Sequence, residues 1–341
     1  MDALRRRGHT VIITVRDRAL VGELLTHFGF EYEIASTVRT SFVGLIWELL
    51  EHDWKVLRSA VRHGVDLMIG TSVCITHAGL LTGKPTLVFN EDDKDYLQAW
   101  AWLAYPFADG IVTPACLRDE KTKKYVCHQS LHELAYLHPD HFIPDANVLH
   151  RMGVSPGERY FIVRFVALQA HHDINHRGLS MEARRRLVDL LEKHGRVFIS
   201  NEGPMPEEFE RFRFPVPASE MHHAMSFASL FVGDSQTMTV EAAVLGIPSV
   251  RCNTFHDRCS IINELEDRYE LTSSFHPDSF DHMLETIAVW IQQPDLRSIW
   301  RDRRERLLQD KGNFARWTVD LIESLEIRRG KLQVPPEPKP R

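Results

Sequence analysis

One stretch of the sequence carries the chemistry of anion binding in its residue types and spacing. An apolar run from Leu230 enters Gly233-Asp234-Ser235, a helix opens near Thr237, and Gly246-Ile247-Pro248 closes it before a second apolar run to Arg251. The first N–H groups of a helix lack internal partners and lie at the positive end of its dipole. A phosphate docks there with little rearrangement. Small residues over 233–237 let a ligand approach the backbone. Glu241 lies one turn further in, where a carboxylate accepts hydrogen bonds from a ribose diol while phosphates occupy the helix start. An ordinary β–α–β crossover, with Ser235 and Thr237 serving only as caps, uses the same residue types.

Three further groups can do chemistry. Asn90-Glu91-Asp92-Asp93 follows a strand end, so Glu91 or Asp92 can deprotonate an acceptor hydroxyl; acids at a helix start are the alternative. His171-His172-Asp173-x-x-His176 follows the first strand of the second half. There Asp173 can orient His172 for acid work or for neutralising a leaving diphosphate. A metal site and a surface loop are the other readings of that group. Arg164, inside a strand, can grip phosphate bidentately. The Arg runs, Arg184–Arg186 among them, read as solvated helix faces, and the seven tryptophans read as core.

The elements that must position these residues alternate in the manner of parallel sheets with crossover helices. Strands are expected at Thr10–Val15, Tyr32–Ala35, Asp66–Ile69, Thr86–Phe89 and Gly110–Thr113, with helices at Ala19–Phe28, Phe42–His63 and Val73–Thr82. The polar stretch Ala146–Arg159 reads as a linker. A second series follows, with strands Tyr160–Phe165, Val197–Ser200, Leu230–Val232 and Ser249–Arg251, then helices Asp281–Gln292, Leu296–Leu308 and Phe314–Ile327. This divides the chain into domains 1–150 and 151–330, with a disordered tail over 331–341 and the last helix packing back on the first domain. A doubly wound domain begins with a strand. Here Met1–Arg7 reads as the end of the helix that should follow it, capped by Gly8, so the first domain reads as truncated at its start.

Composition narrows the function. The 341 residues exceed one comfortable core. A net charge of −6 advertises no broad basic face for nucleic acid. No apolar run approaches the ~20 residues of a membrane span, and five cysteines without a Cys-x-x-Cys pair suit a reducing compartment. A cytoplasmic protein is expected.

The string Asp-Ser…Glu-Ala-Ala-x-Leu-Gly-x-Pro, from Asp234 to Pro248, resembles the donor-site motif of GT-B glycosyltransferases and of UDP-N-acetylglucosamine 2-epimerase. That resemblance implies that Ser235, Gln236 and Thr237 hold a diphosphate and that Glu241 binds ribose. Over most of residues 8–327 the chain resembles, more closely, an uncharacterised archaeal and bacterial family related to that epimerase. The matching strings are Glu133-Leu-Ala-Tyr-Leu-His-Pro139, Phe161-Ile-Val-Arg-Phe-Val-Ala167, Arg196-Val-Phe-Ile-Ser-Asn-Glu-Gly203 and Val232-Gly-Asp-Ser-Gln-Thr-Met-Thr239. The resemblance implies two Rossmann-like domains facing a cleft. It also implies a UDP-sugar as substrate, a glycosyltransferase of surface polysaccharide or glycoconjugate synthesis, no required metal, and room for a homodimer. An epimerase transfers less well, because Gly70-Thr71-Ser72 stands where that enzyme carries an acid. A nucleotide-sugar binder without catalysis is the third reading.

Overall fold

The computed structural model describes residues 1–39, 41–93, 102–117, 124–166, 178–255, 257–328 and 331–333. His172 and Asp173 lie outside the described residues. The chain forms two compact units, Met1–Gln129 with Ala315–Arg341, and Ser130–Phe314.

In the first unit, α1 (Asp2–Arg6) precedes β1 (Thr14–Asp17), α2 (Ala19–His27), β2 (Glu33–Thr37) and α3 (Phe42–His63). Then come β3 (Met68–Gly70), α4 (Val73–Thr82), β4 (Thr86–Phe89), β5 (Gly110–Pro114) and β6 (Tyr125–His128). All its ladders up to β6 are parallel. They form a pair β1-β2 and a sheet β3-β4-β5-β6. Among the described residues no ladder joins β1 to β3, and the break falls where the doubly wound pattern puts its first strand. Burial follows the break. Every residue of β5 is buried, whereas no residue of β1 is. Helix α3 spans the interruption, since Val56 and Ala60 share one apolar cluster with Ala35 of β2 and Met68 of β3.

The second unit contains α5 (Leu134–Leu137), α6 (Asn147–Arg151), β7 (Tyr160–Phe165), α7 (Met181–Glu192), β8 (Arg196–Asn201) and α8 (Met221–Phe227). It continues with β9 (Leu230–Gly233), α9 (Gln236–Leu245), β10 (Ser249–Cys252), α10 (Ser260–Asp267), β11 (Thr272–Phe275), α11 (Phe280–Gln292) and α12 (Leu296–Lys311). Its five strands are all parallel in the order β11-β10-β9-β7-β8. Read from the other edge this is the doubly wound order second-first-third-fourth-fifth, whose direction of winding reverses between β7 and β9. Strands covered on both faces read as apolar runs, and β9 and β10 are buried at every position.

The division differs from the expected boundary at 150/151. Residues 146–159 are polar in composition, yet Val148, Met152 and Val154 are buried, so α6 and the turn after it belong to the second unit's core. The tail also differs. Helix α13 (Phe314–Ser324) is followed by an antiparallel hairpin of β12 (Glu326–Arg328) and β13 (Lys331–Gln333). In the first unit Leu321 and Trp317 of α13 pack on Leu87, Val112 and Val126. The first strand runs Thr14–Asp17 rather than Thr10–Val15, because pairing with Glu33–Thr37 selects it.

The tryptophans divide. Trp300 is buried, but Trp47, Trp54 and Trp102 are exposed, against the expectation of core positions. The arginine run divides too. Arg185 and Arg186 make surface pairs with Glu208 and Asp281, while Arg184 turns inward over the Phe165 ring, 4.4 Å from its centroid.

Candidate functional site

The reversal point between β7 and β9 is where a doubly wound sheet opens a crevice at its carboxyl edge, and the described residues there are polar and mutually bonded. In register, Arg164 faces Gly233. A Cβ on Gly233 would stand 2.7 Å from the Arg164 carbonyl oxygen, so this glycine answers the neighbouring strand rather than a ligand. Strand packing, rather than the ligand approach expected from its residue type, accounts for its smallness.

Asp234, the first residue past β9, ties the edge together. Its Oδ1 accepts from the Val166 N–H at 2.7 Å, and its carbonyl accepts from Asn253 Nδ2 at 2.9 Å. The Asp234 N–H donates to the Arg164 carbonyl at 3.3 Å. One side chain and its backbone thus join the ends of β7, β9 and β10. Asp234 is only 2% exposed, and its Oδ2 has no hydrogen-bond partner among the described residues. Among the described residues, the Arg184 guanidinium lies 4.0 Å from it. Burial pushes its carboxyl up to about 6, against the opposing pull of the Val166 N–H and Arg184.

Helix α9 starts immediately afterwards. Ser235 is its N-cap, and its hydroxyl accepts from the Met238 N–H at 3.4 Å. The amides of Gln236 and Thr237 have no partner among the described residues. Thr237 is exposed and Ser235 and Gln236 are half-buried; Thr237 sits at the second helical position, and Ser235 alone caps. The helix closes at Gly246, whose φ of 75° is the left-handed conformation that favours glycine.

Glu241, one turn in, is 7% exposed. Its Oε1 accepts from the Tyr136 hydroxyl at 3.0 Å and lies 2.9 Å from His222 Nε2. The two rings stand 5.5 Å apart between centroids. A carboxylate held between an aromatic hydroxyl and an imidazole is preorganised to accept or exchange hydrogen bonds from a diol. Sequence reasoning missed both partners. Tyr136 lies inside the Glu133–Pro139 string and could have been asked for a role, whereas nothing in the sequence distinguishes His222 from the other histidines.

Arg164 is oriented differently from expectation. Its Nη1 donates to Ser200 Oγ at 2.6 Å and its Nη2 to Glu202 Oε1 at 2.7 Å. Both terminal nitrogens therefore serve β8 and the residue after it. In the first unit, Asn90 is buried at the end of β4 and forms a local turn, with its Nδ2 on the Asp92 carbonyl and its Oδ1 on the Asp92 N–H. That turn holds Glu91 half-buried and Asp92 exposed at the carboxyl edge of β4. Ser235, Gln236, Thr237 and Glu241 thus share α9 and its cap in the second unit, Arg164 turns toward β8 of the same unit, and Glu91 and Asp92 lie in the first.

No family model matches the sequence, and no curated protein matches it. Solved structures do share its fold. A glycosyltransferase of Streptomyces sp. SF2575, SsfS6, solved with thymidine diphosphate, is 13% identical, with a TM-score of 0.59 over 94% of this chain and 93% of that one. A putative UDP-N-acetylglucosamine 2-epimerase from Listeria monocytogenes is 13% identical, with a TM-score of 0.63 over 94% of this chain and 90% of that one. S. aureus MnaA, solved with UDP, is 12% identical, with a TM-score of 0.61 over 91% and 87%. The chain therefore has the parallel-sheet α/β fold of GT-B glycosyltransferases and of that putative epimerase.

Proposed function

We propose that the second unit binds a nucleotide sugar, with the diphosphate on the amides of Gln236 and Thr237 and the Ser235 hydroxyl, and the ribose diol on Glu241. The observation that carries this reading is the start of α9 at the winding reversal. Two amides there lack partners among the described residues, and a preorganised carboxylate lies one turn beyond them. A dianion at that point meets the helix dipole and the free N–H groups together. The UDP and thymidine diphosphate bound to two of the fold's other members support the choice of ligand class.

The reaction that fits best is glycosyl transfer from a UDP-sugar, with Glu91 or Asp92 as the base that takes the acceptor's proton. The helix start neutralises the leaving diphosphate, so no metal is invoked. A 2-epimerase is the second reading, favoured by the likeness to the Listeria fold. It is weakened by Gly70, Thr71 and Ser72 at the end of β3 and just past it, which offer no carboxylate.

Titration calorimetry with UDP, UDP-N-acetylglucosamine and ADP tests the donor site. The expected result is saturable, uridine-selective binding that weakens roughly 10- to 100-fold in Glu241→Ala, the range for losing hydrogen bonds to a charged group. Absence of binding to all three nucleotides refutes the reading. NMR of UDP-N-acetylglucosamine incubated with the protein separates the two reactions, since only an epimerase inverts C2 without an acceptor.

A further inference from the structure

Three helices of the second unit meet at one carboxylate. The Tyr136 hydroxyl of α5 donates to Oε1 of Glu241 on α9 at 3.0 Å, and His222 Nε2 of α8 stands 2.9 Å from the same atom. The other oxygen, Oε2, has no partner among the described residues. Nor is it sealed in the core, and it shares in the 10% exposure that the side chain keeps. A carboxylate has about four acceptor positions, two on each oxygen. Here both positions on Oε1 face groups of the protein, and both on Oε2 are left open. A nearly buried carboxylate half-supplied with donors is costly unless a ligand completes it.

The two partners are themselves held. The His222 ring lies 5.5 Å from the Tyr136 ring and meets Phe142 edge-on at 6.3 Å. His223, the next residue of α8, lies against the same Phe142 at 4.9 Å, and its Nδ1 accepts the Asp145 N–H at 3.0 Å. Helix α8 is thereby pinned with His222 turned to Glu241.

We infer that Tyr136 and His222 are positioning residues, which occupy Oε1 of Glu241 and leave Oε2 to a vicinal diol, so that the site selects ribonucleoside over 2′-deoxyribonucleoside diphosphates. The inference rests on the reading of α9 as a nucleotide site. Two vicinal hydroxyls supply two donors, which matches the two open positions on Oε2. A 2′-deoxyribose supplies one and leaves a nearly buried acceptor unpaired, whatever base it carries. Losing one hydrogen bond to a charged group weakens binding about 10- to 100-fold. Tyr136 acts through the carboxylate. Without its hydroxyl the carboxylate turns about its last torsion, and Oε2 is no longer preorganised.

Titration calorimetry with UDP and 2′-deoxy-UDP tests this. The unaltered protein is expected to bind UDP at least about tenfold more tightly. Tyr136→Phe removes one hydroxyl from a side chain that is 43% exposed, so melting should be unchanged. It is expected to weaken UDP by about threefold or more and 2′-deoxy-UDP by less than about twofold. His222→Ala should shift the ratio in the same direction. In a Glu241→Ala background neither substitution should have a further effect, since both act through that carboxylate. Equal affinity of the unaltered protein for the two nucleotides overturns the selectivity. A Tyr136→Phe loss that is equal for both nucleotides, or that persists in Glu241→Ala, overturns the positioning role. Failure to bind UDP, 2′-deoxy-UDP and ADP alike instead removes the nucleotide reading itself, and this inference with it.

Discussion

Asp234 offers a test of the site's electrostatics that needs no ligand. Its carboxyl lies at about 6 in the folded protein and at 3.8 in the free amino acid's range. Between those values the native state holds a proton that the unfolded chain has released, so stability falls as pH rises from about 4 through 6. At about 1.36 kcal/mol per decade the loss amounts to about 3 kcal/mol, complete above pH 7. Asp234→Asn keeps an oxygen for the Val166 N–H and removes the charge. The variant is expected to lack this pH dependence and to be more stable than the parent at pH 7.5. About 3 kcal/mol corresponds to roughly 6–12 °C in a domain of this size. Thermal unfolding of both proteins at pH 4.5, 6 and 7.5, followed by circular dichroism, measures the difference. Parallel pH profiles for parent and variant would refute the assignment of a buried, poorly compensated carboxyl to the β7–β9–β10 junction. The same variant bears on the binding proposal, since the lost negative charge lies one residue before the helix start. Diphosphate affinity should rise or hold, not fall.

Other substitutions probe single links. Gly233→Ala forces a methyl against the Arg164 carbonyl and is expected to lower stability by about 1–3 kcal/mol in chemical denaturation; an unchanged midpoint would contradict the close approach of β7 and β9. Leu321→Ala removes a fully buried side chain from the cluster with Leu87 and Val112. It should destabilise the first unit by about 2–5 kcal/mol, read by denaturant melts. Asp92→Asn, at an exposed position, should leave folding unchanged and abolish transfer to acceptor if Asp92 is the base. Full activity in that variant would move the role to Glu91 or elsewhere.

Local sequence determined the elements whose residues leave no choice. Tyr160–Phe165 and Thr86–Phe89 are strands in register with expectation because a doubly covered strand reads as a near-continuous apolar run, interrupted here only by Arg164 and Thr86. The start of α9 was legible for a similar reason. Ser235 is the cap type that α9 requires, and Gly246 is the residue that ends it at positive φ. Two edge strands, β11 and β6, were not legible. Three of the four residues of Thr272–Phe275 are polar, since an edge strand needs less apolar cover, and Tyr125–His128 alternates in burial. Residues 146–159 look like a linker because three buried side chains are hidden among polar ones, and only packing reveals which faces inward. The tertiary structure alone decided who meets Glu241. Tyr136 and His222 are 105 residues before it and on a different helix, respectively, and no local pattern encodes that meeting. It likewise decided that Arg164 serves Ser200 and Glu202, that Arg184 leaves its run to approach Asp234, and that Trp47 and Trp54 face outward. Periodicity states which residues share a face; what lies opposite that face is set by distant parts of the chain.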